Sequence, residues 1–441
     1  MNSRPDLPPG PYLVVGLARS GIAAALALRA RGERVVGVDG GAPAGLDTLD
    51  DAGVELHLDN DGVSLLEGVS TVVKSPGVPA TAPVIAGARS RGMCVMGELE
   101  LAWRMLSNEF IAVTGTNGKT TTVELIGHIH REAGLPVAVA GNVGVALSGL
   151  VQRVQERVVV VCEASSFQLE DTLAFAPEAA VLLNLAPDHL DRHGTVDAYM
   201  AAKLRIFARQ SGAAVAVVPA GFQDGGLPGA ARRVEFGSVP DAQLSEREGV
   251  LHWEGQPLLN ITELSLRGAH NLQNAMAAAA VCLVRGLDPD SVRAGLRDFA
   301  GVPHRLEELA RIDGVLFVND SKATNVASTL VALDAFALGS VHLILGGQGK
   351  GQDFWALREP ARHSCRAVYL IGEDAPAIAA VLQDSGLPVH DCGDLDRAVA
   401  AAREAAGVGE TILLSPGCAS FDQFGDFEAR GERFRELVRR S

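Results

Sequence analysis

The sequence is poor in aromatic side chains, which make up only 5% of its 441 residues. Hydrophobic residues nevertheless reach 47%, and glycine occurs 49 times. A core built from such residues depends on valine, leucine, isoleucine and alanine, which is typical of parallel sheets buried beneath helices. At roughly 100–200 residues per domain, the length predicts two to four domains, and three is our first expectation.

Basic residues are also in deficit, because 38 lysines and arginines face 53 acids and leave a net charge of −15. This balance argues against broad electrostatic binding of nucleic acid or of an anionic membrane, so we expect neither partner. No run of 18 apolar residues occurs, and residues 1–10 lack the apolar core of a signal peptide. We therefore expect a cytoplasmic protein without a membrane span.

Cysteine is scarce as well, and no C-x-x-C pair occurs. The spacing favours separate reduced thiols over a disulfide framework or a zinc site. The cysteines are Cys94, Cys162, Cys282, Cys365, Cys392 and Cys418.

The first third of the chain predicts an α/β unit of the Rossmann type. Ala18 stands where the second glycine of the dinucleotide pattern would be, so a nucleotide ligand and plain strand-to-helix packing both stay open. A further strand, Thr71–Val73, runs into the loop Lys74–Pro79, which is either a ligand loop or a simple proline turn. The predicted order is strand Tyr12–Val15, loop Gly16–Gly21, helix Ile22–Ala30 and strand Val35–Val38.

A phosphate loop is the strongest local signal. The apolar strand Phe110–Val113 runs into Gly115-Thr116-Asn117-Gly118-Lys119-Thr120, and a helix is predicted from about Thr120. Backbone N–H groups at such a turn can hold phosphate oxygens, while the lysine neutralises charge and the threonine hydroxyl reaches Mg²⁺. Val113 replaces the usual first glycine, so the loop is a shorter variant. We therefore predict ATP and magnesium binding.

Three polar positions follow further along the chain. Glu163 ends the predicted strand Val158–Val161 and is either a magnesium ligand or a helix-capping acid. The run Asp188–His193 follows the strand Ala180–Leu183 and is either a site or a charged turn. Lys203 lies in a helix-like stretch, and the residues around it indicate an ordinary solvated lysine.

Beyond residue 220, the pattern predicts a small antiparallel patch of the strands Arg233–Phe236, Val250–Trp253 and Leu258–Ile261. The amides of His270–Asn274 open an alanine-rich helix that reaches Val284. A third α/β region follows, with polar loops at Asn319–Asn325 and Gly346–Gly351. Its predicted strands are Val315–Val318, Val341–Leu345, Ala367–Ile371 and Thr411–Leu414, and the helix Glu428–Arg440 closes the chain.

Taken together, these motifs resemble the Mur ligase family over nearly the whole chain, and within it the members that add D-glutamate. The resemblance rests on Gly115–Thr120, Glu163–Leu169, Asp188–His193, His270–Asn274, His304-Arg305, Asn319–Asn325, Gly346–Lys350 and Ser415–Asp422. It implies three α/β domains. Residues 1–107 are Rossmann-like and bind the UDP part of the substrate, residues 108–302 bind ATP, and the Rossmann-like residues 303–441 carry the amino-acid site.

The resemblance also implies a reaction, in which the carboxylate of UDP-N-acetylmuramoyl-L-alanine attacks the γ-phosphate of ATP. D-glutamate then attacks the resulting acyl phosphate, as a step of cytoplasmic cell-wall precursor synthesis. A monomer is expected. Two Mg²⁺ ions are implied, one on Thr120 and Glu163 and another on Glu163, His189 and a CO₂-derived carbamate of Lys203.

By the same resemblance, the catalytic residues are Lys119, Glu163, His189 and Lys203. The ATP site comprises Gly115, Thr116, Asn117, Gly118, Lys119, Thr120, Thr121, Asn271, Arg305 and Asp320. The UDP-substrate site comprises Arg19, Ser20, Asp39, Ser75, Pro76, Gly77 and Asn142. The D-glutamate site comprises Lys322, Thr324, Lys350, Ser420 and Phe421.

Two departures concern the uridine contacts, because Gly40-Gly41 follow Asp39 and Ala18 interrupts the first glycine loop. The competing interpretations are a sister Mur ligase or a folylpolyglutamate synthase, a non-catalytic ATP-binding regulator, and an NAD-dependent dehydrogenase. The last leaves the phosphate loop unexplained, and loss of the metal-ligand residues, which the regulator predicts, is not seen.

Overall fold

Parallel strands and helices alternate through most of the chain, in three sheets of five, nine and six strands. The computed structural model describes residues 4–142, 144–222, 227–266, 268–349 and 351–440, apart from the side chain of Asp191. The chain forms two compact units. The first two sheets lie in the unit that ends at Phe299, and the third sheet lies in the unit that begins at Ala300.

The first sheet is entirely parallel, with the strand order β3-β2-β1-β4-β5. Its strands are β1 Tyr12–Val15, β2 Val35–Val38, β3 Glu55–His57, β4 Thr71–Lys74 and β5 Cys94–Gly97. Its helices are α1 Arg19–Ala30, α2 Asp47–Asp51, α3 Pro83–Ser90 and α4 Glu98–Met105, and a 3-10 turn spans Val63–Gly68.

The helix α1 begins at Arg19, earlier than the predicted Ile22, because the loop before it is very tight. Gly16 has a φ of 85°, and a Cβ added to Gly21 would lie 1.8 Å from the Gly16 carbonyl oxygen. Only glycine fits at both places. The carboxyl ends of β1, β2 and β4 therefore lie at one edge, next to the start of α1.

The central sheet has the order β14-β13-β12-β11-β10-β9-β6-β8-β7. Its strands are β6 Phe110–Thr114, β7 Val137–Gly141, β8 Val159–Glu163, β9 Ala179–Leu182, β10 Val215–Pro219, β11 Arg232–Gly237, β12 Leu244–Arg247, β13 Val250–Trp253 and β14 Gln256–Asn260. Its helices are α5 Lys119–Glu132, α6 Ser166–Glu170, α7 Leu190–His193, α8 Val196–Leu204, α9 Ala269–Val284 and α10 Pro289–Asp298, with 3-10 turns at Leu147–Leu150 and Ile261–Glu263.

The predicted antiparallel patch is partly wrong. The strand predicted at Arg233–Phe236 is β11, which pairs in parallel with β10 and β12. The antiparallel part consists of β12, β13 and β14, and the sequence prediction missed β12, Leu244–Arg247. β12 is short, and only Leu244 and Ser245 are buried, so its pattern carries little hydrophobic signal.

The third sheet has the order β15-β16-β20-β17-β18-β19 and is parallel except for the edge strand β15. Sequence prediction missed β15 and β19, which lie at the two edges and are mostly half-exposed. The strands are β15 Glu307–Ile312, β16 Val315–Asn319, β17 Val341–Gly346, β18 Cys365–Ile371, β19 Val389–Gly393 and β20 Thr411–Leu414. The helices are α11 Val326–Leu333, α12 Arg358–Ser364, α13 Ala375–Leu382, α14 Leu395–Ala405 and α15 Phe427–Arg439, with a 3-10 turn at Trp355–Leu357.

Each sheet is buried on both faces, which explains the continuous apolar runs of its central strands. Within the described ranges, no helix combines the length and apolar character needed to cross a bilayer.

Candidate active site

The phosphate loop connects β6 to α5 in the middle of the central sheet. Gly115 has a φ of 155° and Gly118 a φ of 84°, so both glycines adopt backbone conformations that other residues rarely tolerate. The Lys119 Nζ donates to the carbonyl oxygens of Gly115 at 2.9 Å and Thr116 at 2.8 Å. The ammonium group of Lys119 therefore lies against the loop, where a bound phosphate group would need a cation.

The alanine-rich helix α9 closes one side of this loop. A Cβ added to Gly118 would lie 2.1 Å from the Asn274 Oδ1, so only glycine leaves room for that amide. The Asn274 Nδ2 donates to the Asn271 Oδ1 at 3.2 Å. The structure therefore brings Asn271 beside the loop, with Asn274 as the direct contact.

Glu163 ends β8, the strand next to β6, and its carboxylate is buried. The Thr120 Oγ1 donates to one carboxylate oxygen at 2.8 Å, and the Asn142 Nδ2 donates to the other at 3.1 Å. Glu163 does not cap the helix that follows, because Ser165 is the N-cap of α6 and forms a capping box with Gln168.

Lys203 lies in α8, and its side chain reaches the same phosphate loop. Its side chain is 2% exposed, and its Nζ donates to the Gly115 carbonyl oxygen at 2.7 Å. Burial, followed by the positive charge of Lys119, lowers the pKa of Lys203 to about 7, while Asp188 and Glu163 act in the opposite direction. The interpretation of Lys203 as a solvated helix lysine is therefore wrong.

His189 lies in the segment after β9 and precedes α7. Its φ of 50° is unusual for a residue other than glycine, and its Nε2 lies 3.5 Å from the Asp188 carboxylate. Its ring packs against Phe167 with the centroids 4.9 Å apart. The polar cluster is thus ordered by an aromatic contact from α6.

The donors around the loop fit a magnesium ion. Hard oxygen ligands are the ones that Mg²⁺ prefers, and the buried Glu163 carboxylate with the Thr120 hydroxyl supplies two of them next to the phosphate loop. Within the described residues, no group of three or more His, Cys, Asp or Glu side chains is placed to hold a metal. The expected set contains only two side chains of these types, Glu163 and His189, and relies on a hydroxyl and a carbamate for the others.

The expected UDP-substrate residues other than Asn142 lie at the edge of the first sheet where β1, β2 and β4 end, whereas Asn142 follows β7 of the central sheet. Asp39 accepts hydrogen bonds from the backbone N–H of Leu17 at 2.7 Å and of Gly41 at 3.0 Å. The Ser75 Oγ donates to the Gly16 carbonyl oxygen at 2.6 Å. Arg19 reaches across to the central sheet, where its guanidinium donates to the Asn142 carbonyl oxygen at 3.3 Å. Ser20 is in the first turn of α1, and Pro76 and Gly77 follow Ser75.

The described D-glutamate residues of the third sheet lie in loops after β16 and β20, which are neighbouring strands. Backbone pairs join the loops, from Gly417 N–H to the Ala323 oxygen and between Gln348 and Ala419. The loops carry Lys322, Thr324, the buried Ser420 and the exposed Phe421, whereas Lys350 lies outside the described residues.

Asp320 is buried in the same region. The Ser415 Oγ donates to its carboxylate at 2.7 Å and the Leu306 N–H at 3.1 Å. Burial raises the pKa of Asp320 to about 7, although the bond from Ser415 and the charge of Arg305 favour the ionised form. Arg305 and Asp320 thus lie together in the second unit.

Sequence reasoning did not assign a role to Tyr199, Arg192 or Arg430. The Tyr199 hydroxyl lies 3.0 Å from the Thr116 Oγ1, and its ring lies 4.6 Å from the Lys203 Nζ. Arg430 is buried and donates to Ser321 and to the carbonyl oxygens of Cys418 and Ala419. The only sequence signal for Tyr199 is its position one helical turn before Lys203.

Family models match three stretches of the chain. Residues 11–97 match the "Mur ligase MurD-like, N-terminal domain", residues 113–282 the "Mur ligase middle domain", and residues 304–418 the "Mur ligase, glutamate ligase domain". The second stretch contains the phosphate loop with Glu163, His189 and Lys203, and the third ends before Ser420 and Phe421.

Curated relatives match at nearly full length. The UDP-N-acetylmuramoylalanine--D-glutamate ligase of Myxococcus xanthus is 43% identical, over 97% of this chain and 97% of its own. That of Acidobacterium capsulatum is 41% identical, over 97% of this chain and 95% of its own.

Two solved structures share the fold at lower identity. The UDP-N-acetylmuramate-alanine ligase of Thermotoga maritima is 20% identical with a TM-score of 0.59, over 98% of this chain and 99% of its own. The MurF ligase of the same organism, in complex with ADP, is 19% identical with a TM-score of 0.59. The match covers 93% of this chain and 96% of the MurF chain. With the full-length relatives above 40% identity, these matches show that the chain belongs to the Mur ligase family.

Proposed function

We propose that this chain is an ATP-dependent, ADP-forming amide ligase that adds D-glutamate to UDP-N-acetylmuramoyl-L-alanine in peptidoglycan precursor synthesis. The observation that carries the proposal is the meeting of two lysines and a buried glutamate at one phosphate loop: Lys119 and Lys203 both contact the Gly115 carbonyl, and Glu163 pairs with Thr120. The D-glutamate relatives at about 40% identity support the choice of amino acid.

The reaction joins two anions before it forms the amide. A carboxylate oxygen of the L-alanine residue bonds to the γ-phosphorus of ATP, the bond from that phosphorus to the β,γ-bridging oxygen breaks, and ADP leaves. The D-glutamate amine then attacks the acyl carbon, loses a proton, and phosphate departs. Lys119 offsets negative charge on the phosphoryl group that is transferred. The backbone N–H groups of residues 115–121 bind the other phosphate groups of ATP.

Magnesium would be held by Thr120 and Glu163 at one position and by Glu163, His189 and modified Lys203 at another. Bound there, it would neutralise phosphate charge during the transfer. The bonds that Glu163 accepts from Thr120 and Asn142 fix the direction of its two oxygens. Thr120 and Asn142 thus fix the orientation of the Glu163 carboxylate.

We further propose that Lys203 carries a carbamate. The lysine cation would first lose one proton, and its neutral amine would then bond to the carbon of CO₂ and release a second proton, which leaves an anionic carbamate. The reaction requires the unprotonated amine, and a pKa of about 7 leaves a large fraction of Lys203 neutral near neutral pH. A carbamate would also supply the negatively charged oxygen atoms that favour binding of a second magnesium ion.

The remaining expected sites complete the proposal. Arg19, Ser20, Asp39, Ser75, Pro76, Gly77 and Asn142 would bind the UDP-substrate, with Asn271, Arg305 and Asp320 at the nucleotide of ATP. Lys322, Thr324, Lys350, Ser420 and Phe421 would bind D-glutamate. The domains would span residues 1–107, 108–302 and 303–441, in a monomer that acts in the cytoplasm.

The test is phosphate release from ATP and Mg²⁺ with UDP-N-acetylmuramoyl-L-alanine and one amino acid at a time. We expect release with D-glutamate and none with L-glutamate, L-lysine or meso-diaminopimelate. Release with another amino acid would move the chain to a sister Mur ligase, and no release with any of them would contradict the ligase proposal.

A further inference from the structure

Lys74 joins the first sheet to the central sheet through a buried ion pair. It is the last residue of β4, it is completely buried, and its Nζ contacts the carboxylate of Asp171. Asp171 follows directly after α6 and is also buried. The half-exposed Arg89 lies 3.3 Å from the other carboxylate oxygen. The pair therefore fixes the point at which the loop Ser75–Pro79 begins.

Arg192 holds the far part of the same loop. It belongs to α7 of the central sheet, and its guanidinium donates to the carbonyl oxygens of Val78 at 2.9 Å and Pro76 at 3.4 Å. The guanidinium carbon lies 4.8 Å from the centroid of the Phe167 ring. Because these bonds go to backbone oxygens, they set the position of the loop itself and are independent of its side chains.

Phe167 connects the two anchors. It lies in α6, which ends just before Asp171, and its ring also packs against His189 at 4.9 Å and His193 at 5.3 Å. The His193 Nε2 lies 3.0 Å from the Ser166 Oγ. The contacts thus form a closed circuit from the loop through Arg192, Phe167, α6 and Asp171 to Lys74 and back to the loop.

We propose that Lys74, Asp171 and Arg192 are positioning residues that fix the sugar-nucleotide loop Ser75–Pro79 relative to Glu163 and His189. This inference rests on the proposed function. α6 begins after the Glu163 strand, and Arg192 is three positions from His189, so the circuit ties the loop to both. A buried ion pair contributes little net stability compared with an apolar pair of the same size, so stability alone does not account for Lys74–Asp171.

The experiment uses the full chain in three forms: wild type, Arg192→Met, and the double variant Lys74→Met with Asp171→Leu. The double variant replaces the ion pair by apolar side chains, so no buried charge is left alone. We expect each variant to raise the KM for UDP-N-acetylmuramoyl-L-alanine at least about tenfold, since each removes charge-assisted hydrogen bonds that hold the loop. The KM for ATP should stay within about twofold, since the phosphate loop lies outside the circuit.

Arg29→Met is the matched control. Arg29 also donates to two carbonyl oxygens, of Ala52 at 2.8 Å and Glu33 at 2.7 Å, but both lie within the first sheet and its helices. It should leave both KM values unchanged. Arg192→Lys, which keeps a cationic donor, should recover part of the lost affinity.

Hydrogen exchange of peptides that cover residues 71–82, measured without any substrate, tests whether Arg192 holds the loop independently of whether the enzyme turns over. We expect faster exchange in Arg192→Met than in Arg29→Met, because the Val78 N–H is held only in a turn, by the Ser75 carbonyl at 3.0 Å. The inference would be overturned if both test variants kept wild-type KM values and wild-type exchange rates. It would also be overturned if the KM for UDP-N-acetylmuramoyl-L-alanine and the KM for ATP rose equally. If the wild-type enzyme shows no turnover, the proposed function is contradicted instead. The hydrogen-exchange rates would then still show whether Arg192 holds the loop.

Discussion

The glycine loops at Gly16 and Gly115 are built alike, yet the charged side chains that bond to their backbone differ in sign. Each follows a buried parallel strand and precedes a helix, and each contains a glycine with positive φ. In the first loop, the Leu17 N–H donates to the Asp39 carboxylate at 2.7 Å. A carboxylate of the protein therefore accepts the hydrogen bond from this loop N–H group.

In the second loop, the neighbouring charges are cationic. Lys119 and Lys203 both donate to the Gly115 carbonyl, at 2.9 and 2.7 Å. The buried acid Glu163 accepts its hydrogen bonds from the Thr120 hydroxyl and the Asn142 amide. The glycine pattern thus specifies the shape of the backbone, while side chains from other strands and helices decide whether the loop suits a triphosphate.

The largest effect should come from removing the lysine of the second loop. Lys119→Ala should lower kcat at least about a hundredfold, because loss of one preorganised charge contact to a reacting anion costs about 10²–10³ in rate. Steady-state phosphate release measures it. Arg19→Ala at the first loop should change the KM for the UDP-substrate and spare kcat. A Lys119→Ala enzyme with near-wild-type kcat would erase the contrast between the loops.

A smaller loss is expected for the second cation. Lys203→Ala should lower activity about 10–100-fold, because the variant loses the carbamate that would support the second metal ion. Added acetate or formate should restore part of the rate by replacing the carbamate. An active variant that is indifferent to short carboxylates would leave Lys203 without a catalytic role.

The first loop should instead respond in stability. Asp39→Ala leaves the N–H groups of Leu17 and Gly41 without their acceptor, which should lower the free energy of unfolding by about 1–3 kcal/mol. Urea denaturation measures the change, and Asp39→Asn, which keeps an acceptor oxygen, is the control. Equal stability of Asp39→Ala and wild type would show that the carboxylate does not occupy the loop.

The most gradual effect is the pH dependence of the free energy of unfolding, measured without CO₂ or magnesium. The folded pKa of Lys203, about 7, lies below its ordinary 10.5, so the unfolded chain binds more protons between these values and stability should rise with pH. For Asp320, raised from 3.8 to about 7, stability should fall as pH rises through that window. Each slope is at most about 1.4 kcal/mol per pH unit.

Matched variants assign these two slopes. Lys203→Met should remove the rise above pH 7, and Asp320→Asn should remove the fall below it. Because the two residues lie in different units, denaturant unfolding followed by a probe in each unit should show the two slopes separately. A slope that survives its own substitution belongs to another group.

Local sequence was enough for the elements with continuous apolar runs. β1, β2 and β20 have the predicted bounds, and the loop at Gly115 joins the predicted strand to the predicted helix. Edge strands were missed because their residues are half-exposed and carry neither an apolar run nor a clear alternation, as in β15 and β19. The patch at β11 was assigned the wrong pairing because the direction of a partner strand is not written in the strand itself.

The sequence by itself determined the three α/β regions, the phosphate loop and the family, since each depends on residues that are close in the chain or matched in order. Only the tertiary structure decided that Lys203 is buried at the Gly115 carbonyl and that Asp39 fills the first loop. It alone also decided that Lys74 meets Asp171. These contacts join residues from different strands and helices, and a pKa or an anchor depends on what packs around a side chain, which local sequence does not specify.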